Sequence, residues 1–142
     1  MLELVQVLGG RKVLAKEPSS PYEWAIEVAA GMPVAAALSF KEALRLTNDE
    51  LAALLGMSIR TLSRWQPDIS RLEPVNADRL LRAARLFSIA SDVLEDADAA
   101  VRWLKSPQRG LAGAIPLELA GSDVGARLVE TLLGRMEHGV YT

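Results

Sequence analysis

Leu46-Thr47-Asn48-Asp49-Glu50-Leu51-Ala52-Ala53-Leu54-Leu55-Gly56-Met57-Ser58-Ile59-Arg60-Thr61-Leu62-Ser63-Arg64-Trp65 reads as two short capped helices around a glycine turn. Thr47, followed three residues later by Glu50, forms a capping box in which each side chain satisfies a free amide of the other residue. Leu51, Leu54 and Leu55 follow at helical spacing, and Gly56 supplies the turn. Ser58 caps a second helix over residues 59–65, and Pro67 bars its continuation. Leu51, Leu55, Ile59 and Leu62 are expected to pack between the two helices. Ser58, Arg60, Thr61, Ser63 and Arg64 are then left for an outer face. This is helix-turn-helix spacing, in which the second helix enters a DNA major groove N-terminus first. Ser58 and Thr61 are assigned to phosphate or base contacts near the helix start, where free amides also favour a phosphate. Arg60 and Arg64, four residues apart on one face, are assigned to guanine readout or phosphate anchoring. The same spacing also fits plain helical packing with a solvated Arg/Ser/Thr surface.

Charge distribution favours the first of these. The 142-residue chain has a formal net charge of −2, which alone argues against nucleic acid. Residues 57–85, however, hold Arg60, Arg64, Arg71, Arg79, Arg82 and Arg85 against only Asp68, Glu73 and Asp78. The flanking stretches are acidic. The guanidinium fork suits phosphate and guanine edges because it donates two hydrogen bonds at once. Arg79, Arg82 and Arg85 share a broad face of the following helix. They fit either the DNA backbone or acidic partners within the protein, the structural role being favoured for Arg85. So modest a positive segment should bind DNA weakly as a monomer, and dimerisation would double the phosphate contacts.

Outward from this motif the signals stay helical. Hydrophobic residues make up 50% of the chain and aromatics only 5%, so Leu, Ala, Val and Ile fill the core. No long alternating Val/Ile/Thr/Tyr run supports a sheet, and the fold class is all-α. Upstream, Ser20, Pro21 and Glu23 start a helix containing Trp24, Ile26 and Val28, which Gly31 stops. Pro33 opens the next, with Val34, Ala37, Leu38, Phe40 and Leu44 inward. Downstream, Pro74 starts a long helix over about 75–94. Asp96 caps one over 97–105, Pro116 opens a short turn to Ala120, and Ser122 caps a last helix with Val124, Leu128, Leu132 and Leu133 inward. Trp103 and Leu104 fit the core or an interface, the core being favoured. The composition shifts near residue 95. Three parts result: an N-terminal segment, 1–30, whose apolar start is a candidate for pairing two chains; a helix-turn-helix domain, 31–95; and a C-terminal domain, 96–142.

Several function classes lose their support. The absence of Cys removes disulfides and thiolate metal sites, and His138 is the single His, so no metal or other cofactor is expected. No stretch approaches 18 consecutive apolar residues, and Met1–Gly10 lacks the basic lead-in and cleavage pattern of a signal peptide. A cytoplasmic location is expected. Glu95, Asp96 and Asp98 read as a helix cap with first-turn acids rather than an acid/base pair. No catalytic constellation or phosphate loop is present, so the protein is not expected to be an enzyme.

The C-terminal residues carry a resemblance. Trp103-Leu104, Pro107, Leu111, Gly113, Pro116-Leu117, Leu119, Gly125, Val129, Leu133, Gly134-Arg135 and Glu137-His138-Gly139-Val140-Tyr141 resemble the toxin-binding domain of the Xre/MbcA/ParS-type antitoxins. Leu51–Gly56, Arg60-Thr61-Leu62 and Asp78-Arg79-Leu80 resemble the Xre-like helix-turn-helix of the same family. Trp65-Gln66-Pro67-Asp68 departs from the pattern, since members often carry more Arg or Lys there. The resemblance implies an Xre-like helix-turn-helix bundle followed by a small helical toxin-binding domain. It also implies a cognate toxin, commonly a Res-domain protein that consumes NAD, and repression of the operon by a dimer at operator DNA. The toxin-blocking segment would be 134–141, with Arg135, Glu137, His138, Gly139, Val140 and Tyr141 as contacts. Gly139 permits a sharp bend and Tyr141 supplies anchoring area at low entropic cost. The alternative is a free-standing helix-turn-helix regulator whose C-terminal half dimerises or binds a ligand. A third possibility is an interaction module without DNA binding.

Overall fold

The computed structural model describes residues 4–14 and 16–139. Among these the protein is all-α, and extended backbone pairs only in an isolated antiparallel bridge between Pro33 and Arg71. The chain forms two compact units that divide between Leu81 and Arg82.

The first unit contains α1 (Leu4–Val7), a 3-10 turn (Gly10–Lys12), α2 (Pro21–Ala29), α3 (Val34–Leu44), α4 (Asn48–Leu55), α5 (Ile59–Ser63) and the opening turns of α6 (Pro74–Leu94). Its helix starts follow the capping residues. The Ser20 hydroxyl accepts the Glu23 amide at 3.2 Å. Thr47 and Glu50 exchange hydrogen bonds of 3.1 and 2.8 Å. The core is aliphatic: Leu8, Leu14, Met32, Leu51, Leu55 and Leu80 are fully buried around Phe40. Helix α3 turns Val34, Ala37, Phe40 and Leu44 inward as its spacing requires, with Leu38 half-buried. Helix α5 is shorter than expected and ends at Ser63, with Arg64 as its cap. Helix α2 buries none of its residues and leaves Tyr22 and Ile26 exposed.

The second unit contains the rest of α6, α7 (Ala97–Leu104), a 3-10 turn (Arg109–Leu111), α8 (Pro116–Leu119) and α9 (Asp123–Glu137). Asp96 caps α7 by accepting the Ala99 amide at 3.1 Å. Ser122 caps α9 through the Gly125 amide at 3.0 Å. Trp103 is half-buried rather than a full core member. No described helix is long and apolar enough to cross a membrane.

Helix α9 departs from expectation twice. Its buried face is Gly125, Ala126, Val129, Leu132 and Leu133, whereas Val124 and Leu128 are 71% and 54% exposed. The pairs 124/128 and 125/129 are both four residues apart, and the two stripes differ by one helical step of about 100°. Gly125 selects between them. A Cβ there would collide with the Leu119 carbonyl, so the bare backbone lets the start of α9 lie against the end of α8. The second departure is at Gly134. The segment assigned to toxin blocking from this residue on is helical through Glu137. Glycine lowers helix propensity but keeps its N–H, so the ladder continues. It stops where Gly139 adopts φ 76°.

The two helical glycines of α9 predict opposite outcomes. Gly125→Ala forces the Leu119 carbonyl aside and should cost about 1–3 kcal/mol, the usual range for overpacking. At Gly134 nothing lies within 4 Å of an added Cβ. Gly134→Ala should therefore stabilise the helix by about 0.5–1 kcal/mol. Thermal unfolding followed by circular dichroism decides both, and shifts of the same sign would contradict this packing.

Candidate functional site

The turn between α4 and α5 is held from the side. The last turn of any helix leaves carbonyls without intrahelical donors. Here Arg79 Nε donates to the Leu54 carbonyl at 2.8 Å and its Nη2 to the Ala53 carbonyl at 3.2 Å. Asn76, itself buried, donates through Nδ2 to the Leu55 carbonyl at 2.7 Å. Two side chains one turn apart on α6 thus close three successive carbonyls at the end of α4. Gly56, with φ 74°, then reverses the chain.

Ser58 caps α5 by accepting the Thr61 amide at 3.1 Å, and the two hydroxyls are 3.0 Å apart. The Ser63 hydroxyl donates to the Arg60 carbonyl at 2.8 Å. Three of the five expected contact residues therefore have intramolecular hydroxyl partners already. The side chains of Arg60 and Arg64 are exposed and, among the described residues, have no polar partner. Leu62 is buried as expected, but Ile59 is 42% exposed, so the small core between α4 and α5 rests on Leu51, Leu55 and Leu62.

The other four arginines of the basic segment are engaged within the protein. Arg71 Nε donates to the Gly31 carbonyl at 2.7 Å, and Arg79 closes α4. In the second unit Arg82 donates to the Ala120 carbonyl at 3.4 Å, and Arg85 meets Glu130 at 3.2 Å. The six arginines of the basic segment thus reduce to two, Arg60 on α5 and Arg64 at its cap, that are exposed and without a polar partner among the described residues.

In the second unit the expected partner-binding residues straddle the end of α9. Arg135 and Glu137 are exposed on its last turn. His138 is its cap, with its amide on the Gly134 carbonyl at 3.2 Å, and Gly139 follows. Val140 and Tyr141 lie outside the described residues.

Comparison with known proteins accounts for both parts. A family model described as the antitoxin Xre-like helix-turn-helix domain matches residues 23–88. Another, the antitoxin Xre/MbcA/ParS C-terminal toxin-binding domain, matches residues 90–139. The chain belongs to the Xre/MbcA/ParS antitoxin family. Relatives named Antitoxin Xre include one from Yersinia enterocolitica, 32% identical over 94 residues, which are 66% of this chain and 64% of the relative. One from Photorhabdus laumondii is 29% identical over 113 residues, 79% of this chain and 76% of the relative. The match thus spans a little under two thirds of the Yersinia protein's length. Within the Xre-like helix-turn-helix domain, sequence reasoning missed Asn76. An Asn in the first turn of a helix is commonly solvated, and no local signal marks one that reaches back 21 residues to a carbonyl.

Replacing the guanidinium should expose its role. Arg79→Met leaves the Leu54 carbonyl without a donor and the Ala53 carbonyl with only the Gly56 amide, and is expected to cost about 1–3 kcal/mol in urea unfolding. Arg79→Lys should recover only part of that loss, because one ammonium cannot reproduce the fork. Full recovery by lysine would mean that charge rather than geometry matters at this position.

Proposed function

We propose that this chain is the antitoxin of a type II toxin–antitoxin pair, binding and neutralising a cognate toxin and repressing its own operon. The observation that carries this is the tandem of an Xre-like helix-turn-helix match and a toxin-binding-domain match in one chain. Arg60 and Arg64 are the base- or phosphate-contacting residues, with Ser58, Thr61 and Ser63 as adjacent hydroxyls. Two outward arginines per chain supply few phosphate contacts, so operator binding takes two copies on paired half-sites. The N-terminal segment 1–30, whose helix α2 leaves Tyr22 and Ile26 uncovered, is the element we assign to pairing.

The toxin is of the Res type that consumes NAD, as the resemblance implies. The last turn of α9 and the residues that follow reach its pocket, with Arg135, Glu137, His138 and Tyr141 as polar and aromatic contacts and Gly139 as the bend. The guanidinium of Arg135 can pair with anionic or polar groups lining a nucleotide-binding pocket.

Two measurements test this division of labour. Arg60→Ala and Arg64→Ala should each weaken binding to the upstream promoter by about 1–3 kcal/mol if they read bases, or lower the salt slope by about 1 if they hold phosphates. Unchanged affinity and slope in both variants would remove the recognition-helix assignment. Truncation after Glu137 should abolish rescue of growth on co-expression with the adjacent toxin gene while sparing promoter binding. Rescue by the truncated chain would refute the tail's role.

A further inference from the structure

Helix α9 is amphipathic on two sides. Its buried stripe closes the second unit, yet Val124 and Leu128 stand outside it, 71% and 54% exposed. Thr131 and Arg135 continue their line at helical spacing, both exposed. The result is a second stripe, apolar at the start of the helix and cationic at its end. Along one edge runs Arg127, already paired with Asp123 at 2.9 Å. Arg135 has no polar partner among the described residues. A helix whose core face is complete gains nothing for its own fold by placing Val and Leu in water, and adjacent exposed apolar side chains of this kind mark contact surfaces.

We infer that the Val124–Leu128–Thr131–Arg135 stripe of α9 is the docking surface for the toxin, an inference that rests on the toxin-binding function proposed above. Position, area and continuity with the proposed tail contact favour this occupant. The stripe lies wholly within residues 90–139, the part matched by the toxin-binding domain. Two apolar side chains fall well short of the ~800 Å² per partner that a stable interface buries, so they belong to a larger contact. The contact that extends them is the one reached through Arg135 and His138, the next exposed residues along the same helix and its cap. The chemistry required of the partner is an apolar patch that receives Val124 and Leu128, with a carboxylate placed to meet the free guanidinium of Arg135. Recognition would then divide into an anchoring face on the helix and an occluding segment beyond it.

The test uses the full chain and the purified product of the adjacent toxin gene, inactivated by substitution, in a calorimetric titration. Val124→Asp and Leu128→Asp are surface changes and should leave the thermal midpoint and promoter affinity of the chain unaltered. Each is expected to weaken toxin binding by roughly 30-fold or more, as when the centre of an interface is lost. Ile69→Asp, an equally exposed apolar position in the first unit, should leave toxin binding unchanged. Wild-type affinity in both α9 variants, while the wild-type chain itself binds, overturns the docking surface and leaves the antitoxin function standing. Failure of the wild-type chain to bind the toxin removes that function and this surface with it. A fall from dimer to monomer mass in the α9 variants with toxin affinity retained assigns the stripe to a second copy of the chain, which also overturns the inference.

Discussion

Carbonyls at the end of a helix that turns sharply must find donors, and in this protein they find them on a helix that begins nineteen residues further on. Arg79 and Asn76 reach from α6 to Ala53, Leu54 and Leu55, and the direction in which α5 leaves the Gly56 turn depends on that closure. A five-residue helix has little stability of its own, because nucleation costs more than its few hydrogen bonds return. Its place is set by the Ser58 cap, by burial of Leu62 and by a fixed end to α4. The presentation of Arg60 and Arg64 is therefore a property of α6 as much as of α5.

The same requirement explains how the basic segment is used. Arginine suits places where a rigid fork of donors can satisfy carbonyls. Arg71, Arg79 and Arg82 all serve carbonyls, and Arg85 serves a carboxylate. A charge excess in the sequence therefore overstates the charge available to a phosphate backbone. The guanidinium groups left open to an outside partner in this segment are those of Arg60 and Arg64.

Much of this was legible from residue order. Ser20, Thr47, Ser58, Asp96 and Ser122 announce helix starts because a cap bond spans only three residues. Proline at 21, 74 and 116 marks first turns for an equally local reason. What could not be read were choices fixed across the chain. Either the 124/128 or the 125/129 stripe satisfies the helical period in α9, and only the approach of the Leu119 carbonyl to Gly125 decides between them. Ile59 has the right spacing for the core of the turn, yet as the first residue of α5 it stays 42% exposed. The roles of Arg71, Arg79 and Arg82 depend on carbonyls 25 to 40 residues away in sequence, beyond the reach of any periodicity argument.

Gly134 gives the last stretch of α9 a mechanical character. It sits one turn before the helix ends, where its backbone freedom makes residues 134–137 the cheapest part of the helix to unwind. A helical residue advances the chain by about 1.5 Å and an extended one by about 3.3 Å. Melting those four residues lengthens the polypeptide by about 7 Å, so the distance spanned beyond Thr131 is adjustable without disturbing the buried stripe. The terminus is built like a tether with a short reserve of line.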